Sequence, residues 1–168
     1  MTNNFQEIQA PNKFEQVLET HFTCFLAGSI EGNSCRQWQS EIVERLKEVD
    51  NLVLLNPRRE NWDNSWKQSS ENNYFTEQVE WELHAQEKCS MIIMNLEPNT
   101  KSPISLLELG LFAKTGKMLM HCPLEFWKSG NVHITCKRYG VEMADSFDEL
   151  VETIKKRALE YSKNKKEN

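Results

Sequence analysis

The sequence predicts a three-layer α/β domain, a parallel sheet with helices on both faces. Two observations predict it. Short, nearly continuous apolar runs of strand length alternate along the chain with longer stretches whose apolar residues recur at helical spacing. That alternation implies parallel strands joined by right-handed crossovers. A length of 168 residues suits one domain with a real core.

Four runs predict the strands: HFTCFLA (21–27), NLVLLN (51–56), SMIIMNL (90–96) and KMLMHC (117–122), with a possible short fifth strand near 140–144. A four- to five-stranded sheet follows. The first helix, about 35–49, places Trp38, Ile42, Leu46 and Val49 on one face, and the second, 75–88, places Val79, Leu83 and Gln86 on one stripe with Glu82 beside it. In the third, 103–115, Ser102 caps a helix whose first residue is Pro103, and Ile104, Leu107 and Leu111 form its buried stripe. Glu108 falls one step from that stripe. The last helix, about 146–160, opens with a Ser146/Glu149 capping box and turns Leu150, Ile154 and Ala158 inward. The domain is expected to span 21–161, with residues 1–20 an N-terminal extension, frayed over its first dozen residues, and 162–168 a disordered polar tail.

Charged residues make up 27% of the chain and the net charge is -5, a balance unsuited to gripping phosphate backbones, so nucleic acid is not an expected partner. No apolar run approaches the ~20 residues of a membrane span, and the polar start lacks the layout of a signal peptide. A cytoplasmic protein is expected. The five cysteines form an odd set with no CxxC pair, which points to reduced core thiols. His121, Cys122, His133 and Cys136 follow no recognised zinc spacing, and no metal site is expected.

Sites in such sheets gather beyond the carboxyl ends of the strands. There the chain places AGSIEGNS, where Gly28 and Gly32 let backbone approach a ligand and Ser29 and Asn33 can donate hydrogen bonds; the pattern is neither GxGxxG nor GxxxxGK[ST]. The alternative is a plain turn. Glu31 would repel a phosphate in this loop, which favours an uncharged nucleoside over a nucleotide. After the second strand, NPRRENWDNSWK reads as a lid in which Trp62 or Trp66 stacks on a flat base or packs the loop onto the body. Arg58 and Arg59 have Glu60 and Asp63 as candidate surface partners. Glu82 and Glu108, on adjoining helices, either reach water or face one cleft. Two acids in one cleft suit glycosidic bond cleavage, one attacking the anomeric carbon while the other protonates the leaving group.

Taken in order, FLAGSI, NPRR with a nearby Trp, EQVEWE, SPISLLELG and FWKSGNVHITCKRYG resemble the nucleoside 2-deoxyribosyltransferase family, over roughly residues 21–155. The resemblance implies a flavodoxin-like fold, an oligomer (dimer or higher), no cofactor, and transfer of 2-deoxyribose between nucleobases through a covalent sugar–enzyme ester. It implies Glu108 as the nucleophile and Glu82 in place of an aspartate that contacts and helps protonate the base. Gly28 and Ser29 match the sugar-side loop, Trp62 and Ser102 join the substrate-binding set, and Asn131 is similar to an asparagine lent by a neighbouring subunit. The chain also departs from the pattern. Phe25 stands where a tyrosine often lies, Ser90 where an aspartate precedes the third strand, and Ser102 where transferases carry an aspartate. Related 5-monophosphate glycosidases use a serine at the Ser102 position for phosphate, with an arginine where this chain has Glu31. The acceptor therefore stays open between a second base, which makes a transferase, and water, which makes an N-glycosidase, with binding without catalysis as a further alternative.

Overall fold

The computed structural model describes residues 4–31 and 36–166. Among these residues six parallel strands and five α-helices follow in the order β1 (Gln6–Gln9), β2 (Phe22–Gly28), α1 (Trp38–Leu46), β3 (Leu52–Asn56), α2 (Asn73–Lys88), β4 (Met91–Asn95), α3 (Pro103–Phe112), β5 (Met118–His121), α4 (Ser129–Tyr139), β6 (Glu142–Met143) and α5 (Phe147–Lys166). The sheet order is β1-β3-β2-β4-β5-β6. Removing β1 leaves the flavodoxin-like order 2-1-3-4-5, whose reversal point lies between β2 and β4.

Strand alternation sorts the core into two layers. Phe25, Ala27, Val53, Leu55, Ile92 and Met94 face a cluster that includes Trp81, Ala85, Leu109, Phe112 and Val132, so α2, α3 and α4 cover that side. Cys24, Leu26, Leu52, Leu54 and Ile93 face the other side with Trp38, Ile42, Leu46, Leu150 and Ile154 of α1 and α5. Burial on both faces is why these strands read as continuous apolar runs.

Four features differ from the expectation. The sheet has a sixth strand because the extension is not frayed along its length: QEIQ pairs with β3, in register Gln6 to Val53 through Gln9 to Asn56. Its single apolar residue, Ile8, is too little to announce a strand, while Phe14 and Val17 of the same extension are buried in the core. At the other end α5 runs on to Lys166, with Tyr161 packed on Phe22 and Lys165 Nζ donating to Glu19 O at 2.6 Å, so residues 162–166 are helical rather than a loose tail. A helix outside the four expected ones, α4, follows β5; it buries only Val132 and Cys136 and so shows weak periodicity. The fourth difference is the orientation of α3. Its buried residues are Ser105, Glu108, Leu109 and Phe112, whereas Ile104, Leu107 and Leu111 are 60%, 60% and 54% exposed.

Candidate active site

The topological switch point, where a sheet of this kind holds its ligand, lies where β2 and β4 end side by side. Gly28 has φ +133°, and a Cβ there would lie 2.1 Å from the Asn95 carbonyl oxygen, so glycine is required for the two strand ends to close together. Ser29 follows at once, fully buried. Its hydroxyl lies 2.8 Å from those of Thr100 and Ser102, which are 3.0 Å from each other, and it accepts the Glu97 N–H at 2.9 Å. Ser102 sits at the N-cap position of α3 with left-handed backbone, but its hydroxyl joins this cluster and makes no capping bond. Glu31 serves that end instead: its Oε1 accepts the N–H groups of Lys101 and Ser102 at 2.6 and 2.9 Å. The serine and threonine hydroxyls thus already satisfy one another, and a protein carboxylate occupies the start of α3.

A second cluster runs along α2 and onto α3. Gln78, Glu82 and Gln86 recur every four residues and share one helix face. Gln78 Nε2 donates to Pro57 O at 2.8 Å and to Glu82 Oε1 at 2.7 Å. Gln86 Nε2 donates to Glu82 O at 3.3 Å and to Glu108 Oε1 at 2.7 Å. Both glutamines are buried, and the Oε1 atom of each has no hydrogen-bond partner. Burial raises Glu82 to about 7, against a smaller opposing effect of the Gln78 hydrogen bond. Burial likewise raises Glu108, with the Glu82 charge adding to it and the Gln86 hydrogen bond opposing, to about 8. Two carboxyl groups that sense each other titrate as a pair, so near neutral pH the cluster holds a proton between them. A site with one neutral acid and one carboxylate can supply a proton and a nucleophile in the same step.

The structure thus brings Glu82 and Glu108 together, with Gly28, Ser29 and Ser102 at the neighbouring strand ends, though the three hydroxyl and backbone groups are engaged in the fold. Trp62 is held elsewhere. Its ring meets Trp66 edge-on at 5.2 Å, Trp66 stacks on Tyr74 at 5.4 Å, and Trp62 Nε1 donates to Asn64 Oδ1, so these aromatic residues are packed on one another. Asn131 is exposed on α4 and lines a cavity of about 350 Å³ with Leu106, Leu109, Gly110 and Trp127, away from the acids of its own chain. His121 Nδ1 pairs with Asn95 Oδ1 at 2.7 Å and His133 Nε2 with Cys122 O at 2.9 Å, so each histidine has a protein partner. Gly32 and Asn33 lie outside the described residues. Gln78 and Gln86 are the residues that sequence reasoning missed as site groups, although polar residues at i, i+4 and i+8 around Glu82 were a signal for a buried polar stripe.

The family profile described as nucleoside 2-deoxyribosyltransferase like matches residues 21–126, a span that includes Ser29, Glu82, Ser102 and Glu108. The chain belongs to this family. The match ends before Asn131. A crystal structure of a conserved protein from Enterococcus faecalis V583 is similar to this member with a TM-score of 0.60 at 14% identity, covering 82% of this chain and 99% of that one, which shows a shared fold. No curated protein matches the sequence. No helix among the described residues is long and apolar enough to cross a membrane.

Proposed function

We propose that the family member described here cleaves the N-glycosidic bond of nucleosides, including 2-deoxynucleosides, through a covalent glycosyl ester on Glu108. The observation that carries the reading is the pair of carboxyl groups on adjoining helices, Glu108 buried and Glu82 half-buried, in which the Glu82 charge bears on Glu108 and Gln86, one turn beyond Glu82, donates to the Glu108 carboxyl group. In the first step the Glu108 carboxylate attacks the anomeric carbon, the carbon–nitrogen bond breaks, and its electron pair leaves with the base, which takes the proton held by Glu82. In the second, the acceptor attacks the same carbon, Glu82 takes the acceptor's proton, and Glu108 leaves as a carboxylate. The reactive form is the one in which the shared proton sits on Glu82 and Glu108 is ionised; with values of about 7 and 8 for the two groups that form is accessible near neutral pH, where an exposed glutamate would have lost its proton.

Gly28 and Ser29 shape the floor of the cleft and Ser102 joins them through its hydroxyl, whereas Trp62 would reach a bound base only by giving up its packing on Trp66. We further propose a homo-oligomer, dimer or higher, in which Asn131 completes the cleft of a neighbouring subunit; the exposed Ile104, Leu107 and Leu111 of α3 beside exposed Trp127 and Ile134 give such an assembly an apolar face to cover. Neither a cofactor nor a metal has a role in this scheme, and the buried thiols suit the reducing cytoplasm.

The test is to incubate the purified chain with a panel of nucleosides and deoxynucleosides, with and without a free second base, and to follow the products by chromatography. Exchanged nucleoside identifies a transferase and free base alone an N-glycosidase. No product from any substrate would leave a binding module and sink the catalytic reading.

A further inference from the structure

Arg58 is anchored at the end of β3 but its charge is unanswered. Its backbone N–H donates to Asn56 Oδ1 at 3.0 Å and its Nε to Gln39 Oε1 at 3.1 Å, while its Nη2 is buried without any acceptor. Of the surface partners expected for it, Asp63 accepts the Ser65 N–H through Oδ1, and no carboxylate among the described residues pairs with Arg58. Residues 32–35 are Gly, Asn, Ser and Cys, so they hold no acid either. Arg59, next along the chain, shows the contrast. It pairs with Glu77 at 3.0 Å and lies over Trp66, a self-contained structural role.

The place of Arg58 matters as much as its missing partner. Gln39, which holds Nε, also reaches Ser29 O with its Nε2 at 3.5 Å, and Pro57, one residue back, is tied through Gln78 to Glu82. The guanidinium therefore stands on the rim of the same crevice, toward α1, whereas the acids stand toward α2 and α3. At the α3 end the Glu31 carboxylate already takes the N–H groups of Lys101 and Ser102. A ligand's negative charge is excluded there and met at Arg58. A planar guanidinium with unused N–H groups matches the oxygens of a phosphate better than any neutral partner.

We propose that Arg58 holds a phosphate on the sugar of the ligand, so that the crevice takes nucleoside monophosphates in preference to nucleosides. The proposal rests on reading the crevice as a nucleoside site. It also revises the sequence-based expectation of an uncharged guest, because Glu31 is tied to the start of α3 and the unpaired guanidinium lies at the end of β3 beside Gln39 of α1.

The test is calorimetric titration of the full chain with the four deoxynucleosides, their 5′- and 3′-monophosphates, and inorganic phosphate. One series of monophosphates is expected to bind about 10- to 100-fold tighter than the matching nucleosides, the range of a charge-assisted hydrogen-bonded contact. Arg58→Gln should erase that difference and leave nucleoside affinity unchanged, Arg58→Lys should keep part of it, and inorganic phosphate should compete in the native chain alone. Equal binding of nucleosides and monophosphates by the native protein would overturn the assignment, whether or not the variants fold, and so would an Arg58→Gln protein that keeps the preference. These arms read binding without turnover. Monophosphates bound through Arg58 but never cleaved would sink the glycosidic chemistry and keep the inference, and turnover of nucleosides without any phosphate preference would do the reverse.

Discussion

The two faces of α3 are inverted relative to an ordinary surface helix. The face against the sheet carries Ser105 and Glu108, 4% and 7% exposed, beside Leu109 and Phe112; the face toward solvent carries Ile104, Leu107 and Leu111, each more than half exposed. Apolar residues cost little in either place, but a carboxyl group does not. Glu108 is tolerated inside because it can share a proton with Glu82 near neutral pH and because Gln86 donates to it, and in the proposed reading an acid kept there at the expense of stability serves chemistry rather than packing. The outward leucines carry no such cost within one chain, and they describe a surface that a second subunit would bury. In the proposed reading the inner face serves a reaction and the outer face a contact.

The strongest way to break that comparison is on the inner face. Glu108→Gln keeps shape and hydrogen bonding, so the fold and ligand binding should survive, but an amide cannot form the ester, and turnover should fall by about 10⁴-fold or more. With the native chain, a nucleoside bearing fluorine at the sugar 2-position should leave added mass on the peptide spanning residues 102–114. An adduct on another residue, or a fully active variant, removes Glu108 from its role.

Glu82→Gln should do less damage, slowing turnover by roughly 10²- to 10⁴-fold as for loss of a general acid, and least for bases that leave easily. Because the Glu82 charge contributes to raising Glu108, the variant should also shift the acid limb of the pH–rate profile to lower pH. An unmoved limb would mean that the two groups do not communicate.

The pair should leave a mark on stability too. In the unfolded chain these carboxyl groups release their protons near pH 4.3, and in the folded chain only near 7 and 8, so between those limits the folded state binds more protons. Stability from these groups is therefore present below about pH 4 and lost as pH rises toward 8. Glu108→Gln has no such proton to lose, and at pH 8 it should be more stable than the native chain by on the order of 3 kcal/mol, read from denaturant midpoints. A variant that is less stable at pH 8 contradicts a carboxyl group buried at a cost.

The outer face gives the smallest effect and the most specific one. Leu107→Asp should leave the monomer's fold intact, since Leu107 is 60% exposed, while weakening self-association by about 100-fold in sedimentation. If assembly is unaffected, α3 is not the contact.

Much of this was legible beforehand, and the rest was hidden for particular reasons. Strands β2 to β5 announced themselves because each is buried on both faces, and α1 and α5 did so because Trp38, Ile42, Leu46, Leu150 and Ile154 mark one clean stripe apiece. β1 and α4 were hidden because a polar edge strand and a helix burying two residues leave little periodic signal. Glu82 and Glu108 stood out as acids beside apolar stripes. Gln78, Gln86 and Arg58 did not, because neutral amides and an arginine look like surface until their burial and missing partners are seen.

By itself, then, the sequence determined the α/β class, the order of its main elements and the two carboxyl groups most worth attention, because hydrophobic periodicity and charge are local properties of the chain. Only the tertiary structure decided which face of α3 turns inward. Nearly every position of PISLLELGLF outside Glu108 is apolar or small, so the helix has almost no intrinsic direction, and its rotation is set by the shape of the sheet and by Gln86 waiting on α2 to receive the carboxyl group.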